Sequence, residues 1–179
     1  MRIIGGSAGS RQIEAPKGLA TRPTRDKVRE ALFSILQGHC AGARVLDLFA
    51  GSGALGLESL SRGAACAVFV EKSPAVAALV RRNVSRLGFE AQATVLAMDA
   101  LRALDRLAPG PCFDLVFLDP PYRMDTGPYL STLLEHVLLA PEALVAAEHS
   151  PGRGPRIEKP FQLLRRRASR DPELTVSHW

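Results

Sequence analysis

A chain of 179 residues, 46% of them hydrophobic, with a net charge of +5, is long enough for one globular domain with a buried core. It has no apolar stretch near the roughly 20 residues of a membrane-spanning helix and no apolar secretory signal at its N-terminus, so we expect a cytoplasmic protein without a membrane partner. The three widely spaced cysteines argue against a disulfide framework, and no Cys/His cluster has zinc-ligand spacing, so we expect no metal.

The positive charge lies at the two ends of the chain. Residues 1–44 contain eight Lys and Arg against three Asp and Glu, residues 45–149 eight against twelve, and residues 150–179 seven against three. Basic ends suit a polyanion such as nucleic acid, whereas an acidic middle suits a cationic small molecule. An ordinary solvated surface would carry the same charges, so composition alone leaves both interpretations open.

The first 38 residues are predicted to form an extension that precedes the main domain at residues 39–179. The segments RIIGG and RQIEAP near the start predict a short hairpin. A helix follows at residues 24–37, with Thr24 as its cap and Gly38 as its stop. The apolar stripe of this helix is Val28, Leu32, Ile35 and Leu36.

Short apolar runs alternate with helical patterns through the middle of the chain. The runs occupy residues 44–50, 66–71, 94–99, 113–119 and 142–149. The clearest helix between them is capped by Ser73 and ends at Gly88. Continuous apolar strands separated by helices predict an α/β protein with a doubly wound, mostly parallel sheet. After residue 150, FQLLRRRAS and ELTVSHW predict a terminal antiparallel hairpin.

A glycine loop joins the first predicted strand to its helix. Residues 51–56, GSGALG, match G-x-G-x-x-G, and Glu71 ends the next strand 20 residues after Gly51. This pattern fits a nucleoside cofactor whose ribose hydroxyls bind the acid, although a tight turn without a ligand is the alternative. Asp47, just before the loop, argues against a cofactor with a pyrophosphate, because it would add negative charge beside two phosphates. It suits S-adenosylmethionine, which has no phosphates and carries an ammonium and a sulfonium.

Three acids end successive predicted strands. Asp99 ends the third strand, where it could accept a hydrogen bond from an adenine amino group, and Asp47 and Glu71 end the first two. Parallel sheets bind ligands at the carboxyl ends of their strands. Each acid alone could be a solvated strand end, but together they favour S-adenosylmethionine. An NAD-dependent oxidoreductase is favoured only by the glycine loop.

The fourth predicted strand ends in Asp119-Pro120-Pro121-Tyr122, which matches the Asp-Pro-Pro-Tyr motif of methyltransferases that modify exocyclic amino groups. The Asp119 carboxylate and the Pro120 carbonyl can accept the two N–H bonds of such an amino group and direct its lone pair at the methyl group. The prolines restrict the torsions that fix this carbonyl. Tyr122 can stack on a base swung out of its helix. A strand terminated by prolines, without a ligand, is the alternative.

Segments of this sequence resemble the bacterial 16S rRNA guanine-N2 methyltransferase family, the RsmD type. The resemblance extends over nearly the whole chain. The matching blocks are RIIGG, residues 21–36, residues 46–64, Glu71 and LDPPY. Arg22-Pro23-Thr24, with Arg29-Glu30, distinguishes this family from DNA adenine methylases. The resemblance implies a class I, Rossmann-like methyltransferase fold: a mostly parallel seven-stranded sheet with an antiparallel last strand, preceded by a hairpin and helix.

The resemblance also implies a reaction and a set of site residues. The reaction is methylation of one guanine N2 of 16S rRNA in the small ribosomal subunit, with S-adenosylmethionine as donor and S-adenosylhomocysteine as product. The implied cofactor residues are Asp47, Gly51, Gly53, Glu71 and Asp99. The implied catalytic and base-binding residues are Asp119, Pro120 and Tyr122.

The same resemblance assigns RNA binding to residues 1–38 and methyl transfer to residues 39–179. The phosphate-contact candidates are Arg2, Arg11, Arg22, Arg25 and Arg29. A salt bridge that holds the N-terminal helix is the alternative for Arg29. A monomer is the default expectation. The alternative functions are an N6-adenine methyltransferase on DNA or RNA and a non-catalytic RNA-binding protein.

The C-terminus matches this family least. Arg170-Asp171-Pro172-Glu173 stands where family members often have a Gly-Asp-Thr-like turn, which leaves the register of the last hairpin open. Arg165-Arg166-Arg167 is predicted to lie on the surface, with RNA contact as the alternative.

Overall fold

The computed structural model of the chain describes residues 1–16, 23–110, 112–121, 124–149, 161–167 and 173–178, with the backbone alone for residues 23–26, 163–167, 173, 174 and 178. These residues form helices and strands that alternate along the chain. The helices are α1 (Pro23–Ile35), α2 (Ala54–Ser61), α3 (Pro74–Leu87), α4 (Ala100–Leu107) and α5 (Gly127–Glu135). The strands are β1 (Arg44–Asp47), β2 (Cys66–Val70), β3 (Ala93–Leu96), β4 (Phe113–Leu118), β5 (Leu139–His149), β6 (Gln162–Arg167) and β7 (Glu173–His178).

The strands form one seven-stranded sheet in the order β3-β2-β1-β4-β5-β7-β6. Strands β1 to β5 pair in parallel, whereas β7 lies antiparallel between β5 and β6. This topology confirms the predicted fold. The strand order reverses between β1 and β4, and open sheets of this kind bind ligands at the carboxyl ends of the strands beside such a reversal.

Both faces of the sheet are covered, which explains why the strands are continuously apolar. Leu115 and Phe117 of β4 pack into one core cluster with residues of α1, α2 and α3. Val116 and Leu118 pack into a second cluster with residues of α4 and α5. Successive residues of a strand point to opposite faces, so a central strand needs apolar residues at every position.

Helix α3 has the predicted boundaries, but α1 (Pro23–Ile35) begins one residue earlier and ends two residues earlier than the predicted range 24–37. Ser73 accepts the backbone N–H of Val76 at 3.5 Å, and Gly88 ends α3 in the left-handed conformation with φ of +80°. Helix α1 begins at Pro23, so the prediction that Thr24 caps it is wrong. Proline suits a first helical position because its φ is already helical and its missing N–H would have no partner there.

The N-terminal segment forms the predicted hairpin in minimal form. Arg2 and Gln12 make one antiparallel bridge, and the N–H of Ile3 donates to the carbonyl of Arg11 at 3.0 Å. Ile3 and Ile13 are buried in the core cluster that also contains residues of α1 and β4. The described part of the extension therefore shares a hydrophobic core with the sheet.

The C-terminal hairpin is also confirmed, since β6 and β7 pair antiparallel with one irregularity between Leu163 and Arg165. Residues 168–172, with Arg170, Asp171 and Pro172, lie outside the described residues, and the backbone of Arg165-Arg166-Arg167 belongs to β6. Within the described ranges, no helix is both long and apolar enough to cross a bilayer.

Candidate active site

A cavity of about 540 Å³ opens at the carboxyl ends of the parallel strands. The sheet forms its floor, and the N-terminal segment and α1 form part of its wall, through residues that include Met1, Pro16 and Leu32. Many of the residues predicted to form a site line this cavity. They are Arg29, Asp47, Gly51, Glu71, Asp99, Asp119 and Pro120. Tyr122 lies outside the described residues.

The three glycines of the loop have different structural roles. Gly51 lines the cavity. Gly53 caps the start of α2 with φ of +78°, a conformation that glycine adopts without strain. At Gly56, an added Cβ would lie 2.3 Å from Cε1 of Phe69 in β2. Gly53 and Gly56 therefore shape the turn and let α2 pack against the sheet, and neither lines the cavity.

Asp47 ends β1 and is almost fully buried, at 1% exposure. Its Oδ2 accepts the backbone N–H of Gly56 at 3.1 Å, whereas Oδ1 has no hydrogen-bond partner among the residues that the structure describes. Burial raises the pKa of Asp47 to about 7; the bond from Gly56 opposes this change, and the nearby Asp119 and Glu71 carboxylates add to it. A buried acceptor without a partner, in the wall of a cavity, suits a cationic ligand.

Glu71 follows β2 and connects the glycine loop to the start of α3. Its Oε2 accepts the N–H of Gly51 at 3.1 Å, and its Oε1 accepts the N–H of Ser73 at 2.8 Å. Each carboxylate oxygen can accept a second bond, so this anchoring is compatible with binding to ribose hydroxyls. Glu71, which is predicted to bind a ligand, thus also holds the glycine loop in place through a hydrogen bond.

Asp99 caps α4 and borders an aromatic wall that the sequence did not predict. Its Oδ1 accepts the N–H of Leu101 at 3.1 Å. In the cavity lining, the rings of Phe49 and Tyr129 meet edge to face with centroids 5.1 Å apart. The Tyr129 hydroxyl donates to Sδ of Met124 at 3.1 Å. Burial and then the charge of Asp99 raise the pKa of Tyr129. Flat aromatic surfaces beside an acceptor suit a planar ring with amino groups.

Asp119 and Pro120 follow β4, and a further acid lies beside them. Glu148 of β5 lines the same cavity, although the sequence pattern of residues 142–149 indicates only a strand. The parallel register pairs Leu118 with Ala147, so the next residues, Asp119 and Glu148, are neighbours at the same edge of the sheet. The only sequence signal for Glu148 is a charged residue near the end of a buried strand.

The predicted phosphate-contact arginines fall in different environments. Arg29 is buried, at 5% exposure, and its Nη2 donates to the carbonyl of Arg2 at 2.6 Å, which does not suit the surface contact predicted for it. Arg11 is exposed and donates to the carbonyls of Leu87, at 3.0 Å, and Arg86 at the end of α3. Arg2 is exposed. Arg22 and the side chain of Arg25 lie outside the described residues.

Buried polar side chains attach the N-terminal segment to α2 and α3, which the sequence pattern does not predict. Glu58 in α2 accepts the N–H groups of Ile4, at 2.7 Å, and Gly5, at 2.9 Å. Asn83 in α3 binds the backbone of Glu14. The sequence signal is an acid and an amide on helix faces that are otherwise buried among apolar residues.

The sheet order, the glycine loop and the row of acids together define a class I methyltransferase, the class whose methyl donor is S-adenosylmethionine. An O-methyltransferase from Bacillus cereus in complex with SAH has the same fold, with a TM-score of 0.68 and 17% identity over 90% of this chain and 84% of that one. The chain belongs to the family described as Conserved hypothetical protein 95, whose model matches residues 1–177.

Two similar proteins confirm the resemblance to the RsmD family. Ribosomal RNA small subunit methyltransferase D of Escherichia coli strain K12 is 41% identical over 149 residues, which cover 83% of this chain and 74% of that protein. The structure of the yhhF protein of Escherichia coli matches with a TM-score of 0.88 and 35% identity, over 99% of this chain and 97% of that one.

Proposed function

We propose that the protein transfers a methyl group from S-adenosylmethionine to the N2 amino group of a guanine in 16S rRNA of the small ribosomal subunit. The observation that carries this proposal is the shared cavity. Asp119 and Pro120, the residues suited to an amino group, line the same cavity as the cofactor candidates Asp47 and Glu71. The relative named ribosomal RNA small subunit methyltransferase D supports rRNA as the substrate.

The cavity residues fit the separate parts of the cofactor. Asp47 has a buried oxygen without a partner among the described residues, and it would hold the ammonium of the amino acid part. Glu71 would accept the ribose hydroxyls, and Asp99, with the Phe49 and Tyr129 rings, would hold the adenine. When bound, S-adenosylmethionine supplies a methyl group activated by its positive sulfonium.

The target amino group is held by the residues that follow β4. The Asp119 carboxylate and the Pro120 carbonyl accept its two N–H bonds, which turns the nitrogen lone pair away from the purine ring system. The lone pair forms the new N–C bond as the C–S bond breaks, and the electrons of that bond stay on sulfur. The nitrogen then loses one proton, to Asp119 or to water. Tyr122 would stack on the base.

The extension at residues 1–38 is the proposed RNA-binding part, and residues 39–179 form the proposed methyltransferase domain. Arg2, Arg11, Arg22 and Arg25 are the proposed phosphate contacts, and such contacts position RNA without reading its sequence. We expect a cytoplasmic monomer acting on rRNA within the small subunit, with salt-sensitive affinity for RNA.

This proposal is tested by measuring the transfer of labelled methyl groups to small subunits and to free 16S rRNA. Mass analysis of the nucleosides then identifies the methylated base. The wild-type protein should produce N2-methylguanosine. Asp119→Asn should lower kcat about 100-fold or more while S-adenosylmethionine still binds in calorimetry. Asp105→Asn, an exposed acid on α4, is the matched control and should react normally. N6-methyladenosine without N2-methylguanosine would show that the target base is wrong.

A further inference from the structure

Asp119 and Glu148 follow the paired residues Leu118 and Ala147 of two neighbouring strands, and both carry a carboxylate into the lining of the cavity. Phe117 and Ala146 belong to one core cluster, and Leu118 and Ala147 to the other. Because strand residues alternate between faces, the next pair, Asp119 and Glu148, returns to the face that α1 covers. Neighbouring strands lie about 4.8 Å apart, so the two side chains can reach adjacent atoms of one base. Both residues line the cavity.

The two possible target bases present opposite patterns beside their amino groups. In guanine, the N2 amino group is next to N1–H, so two donors stand side by side. In adenine, the N6 amino group is next to N1, which has a lone pair and no hydrogen. Enzymes that extrude a base read it through this Watson–Crick edge. A pair of carboxylates accepts from two adjacent donors and repels an acceptor.

We propose that Glu148 accepts the N1–H bond of the target guanine while Asp119 accepts one from N2, so that Glu148 determines specificity for guanine over adenine. This inference rests on the proposed function and assigns a residue to its base selectivity. Arg29 is buried in the wall of the same cavity, and its positive charge would suit guanine O6. A site built to bind a donor rejects an analogue that lacks it, because the carboxylate that would accept the N–H bond repels the lone pair that replaces it.

The discriminating probe is 2-aminopurine, which keeps the 2-amino group but has a lone pair at N1. The target guanine is first mapped with the wild-type protein and then replaced by 2-aminopurine in synthetic rRNA assembled into small subunits. The wild-type protein should show kcat/KM about 100-fold lower for 2-aminopurine than for guanine. In Glu148→Gln, the amide N–H can donate to N1, so the guanine rate should fall at least tenfold while the 2-aminopurine rate rises.

The control variant is Glu142→Gln, an exposed acid on the same strand, and it should keep the wild-type ratio of the two rates. Glu148→Asp keeps the carboxylate and should lower both rates while retaining the preference for guanine. Binding of S-adenosylmethionine in calorimetry shows that each variant is folded.

Equal loss on both bases in Glu148→Gln, or an unchanged ratio, would overturn the role of Glu148 and leave the proposed function standing if the wild-type protein still forms N2-methylguanosine. Failure of the wild-type protein to form that product would instead overturn the proposed function. The two failures are therefore distinguishable.

Discussion

Asn83 binds the backbone of Glu14 as a neighbouring β-strand would. Its Oδ1 accepts the Glu14 N–H at 2.8 Å, and its Nδ2 donates to the Glu14 carbonyl at 2.9 Å. The same Nδ2 donates to the carbonyl of Ser52 in the glycine loop, also at 2.9 Å. Asn83 is fully buried, and through these bonds its side chain joins the N-terminal segment to the loop that borders the cofactor cavity.

Replacement of Asn83 by alanine should weaken both folding and cofactor binding. The substitution leaves the polar backbone groups of Glu14 and the carbonyl of Ser52 without this partner, so we expect a loss of about 2 to 3 kcal/mol in the free energy of unfolding. Affinity for S-adenosylmethionine should fall about tenfold, because Ser52 lies in the loop that lines the cavity. Urea denaturation and titration calorimetry measure the two effects.

Ser85→Ala is the matched control for Asn83, since Ser85 lies on the exposed side of the same helix and its hydroxyl donates to the exposed Glu90. It should change neither quantity by more than about 0.5 kcal/mol. If Asn83→Ala lost stability but bound the cofactor with wild-type affinity, the coupling between the segment and the loop would be disproved.

Glu58 should be the strongest single attachment of the N-terminal segment. It is fully buried, accepts two backbone N–H groups and pairs with Nε of Arg62 at 2.8 Å. Glu58→Gln keeps one acceptor oxygen and removes the charge opposite Arg62. We expect a loss of about 3 kcal/mol in the free energy of unfolding, because the buried charge of the pair is removed while its partly exposed partner Arg62 keeps its own.

Hydrogen exchange localises the effect of Glu58→Gln. The amides of Ile4 and Gly5 should exchange faster than in the wild-type protein, while amides in the central strand β4 follow only the global loss of stability. Glu135→Gln, at an exposed position on α5, serves as the control. Unchanged protection at Ile4 and Gly5 would contradict the role assigned to Glu58.

Much of the fold was predictable because its signals are local. The continuous apolar run of β4 reflects burial on both faces, and Ser73 and Gly88 mark the ends of α3 by capping chemistry. The start of α1 was placed one residue late, because Thr24 has a preferred capping side chain while Pro23 has the dihedral angle of a first helical residue.

The site was predicted less completely because part of it depends on contacts between distant segments. Asp47 ends its strand, and Glu71 and Asp119 follow theirs. The parallel order of these strands brings the three acids together, so their position could be inferred from strand ends alone. Tyr129 and Glu148 reach the cavity only through the packing of α5 and the register of β5. The burial of Arg29 likewise depends on how α1 lies over the sheet, and its charge in the sequence suggested a surface residue instead.

Gly56→Ala should destabilise the protein, although alanine normally favours a helix interior by about 1 kcal/mol over glycine. The added Cβ would lie 2.3 Å from Cε1 of Phe69, whose ring is fully buried, so α2 or the ring must shift. We expect a loss of about 1 to 3 kcal/mol in denaturation experiments. In Phe69→Leu the ring edge is absent, so the double variant should lose at least 1 kcal/mol less than the sum of the single losses. Additive losses would show that this contact is not the cause.

Asp47 should make both stability and cofactor binding depend on pH. Its pKa rises from 3.8 to about 7 in the folded protein, chiefly because it is buried. Between these values the folded state binds more protons than the unfolded state, so the free energy of unfolding should decrease as the pH rises from about 4 to about 7 and then level off. Asp47→Asn resembles the protonated acid and should lack this contribution, a difference that urea denaturation at pH 5, 6, 7 and 8 would measure.

Binding of S-adenosylmethionine should show the opposite dependence on pH, because the cofactor ammonium requires the ionised Asp47 carboxylate. Affinity of the wild-type protein in calorimetry should increase between pH 5.5 and 7.5, as ionisation through a pKa of about 7 proceeds. Asp47→Asn should bind weakly and with little change over this range, whereas Asp105→Asn should follow the wild-type protein. If the affinity of Asp47→Asn increased with pH as steeply as that of the wild-type protein, another group would cause the pH dependence. Asp47 would then not be the ligand of the ammonium.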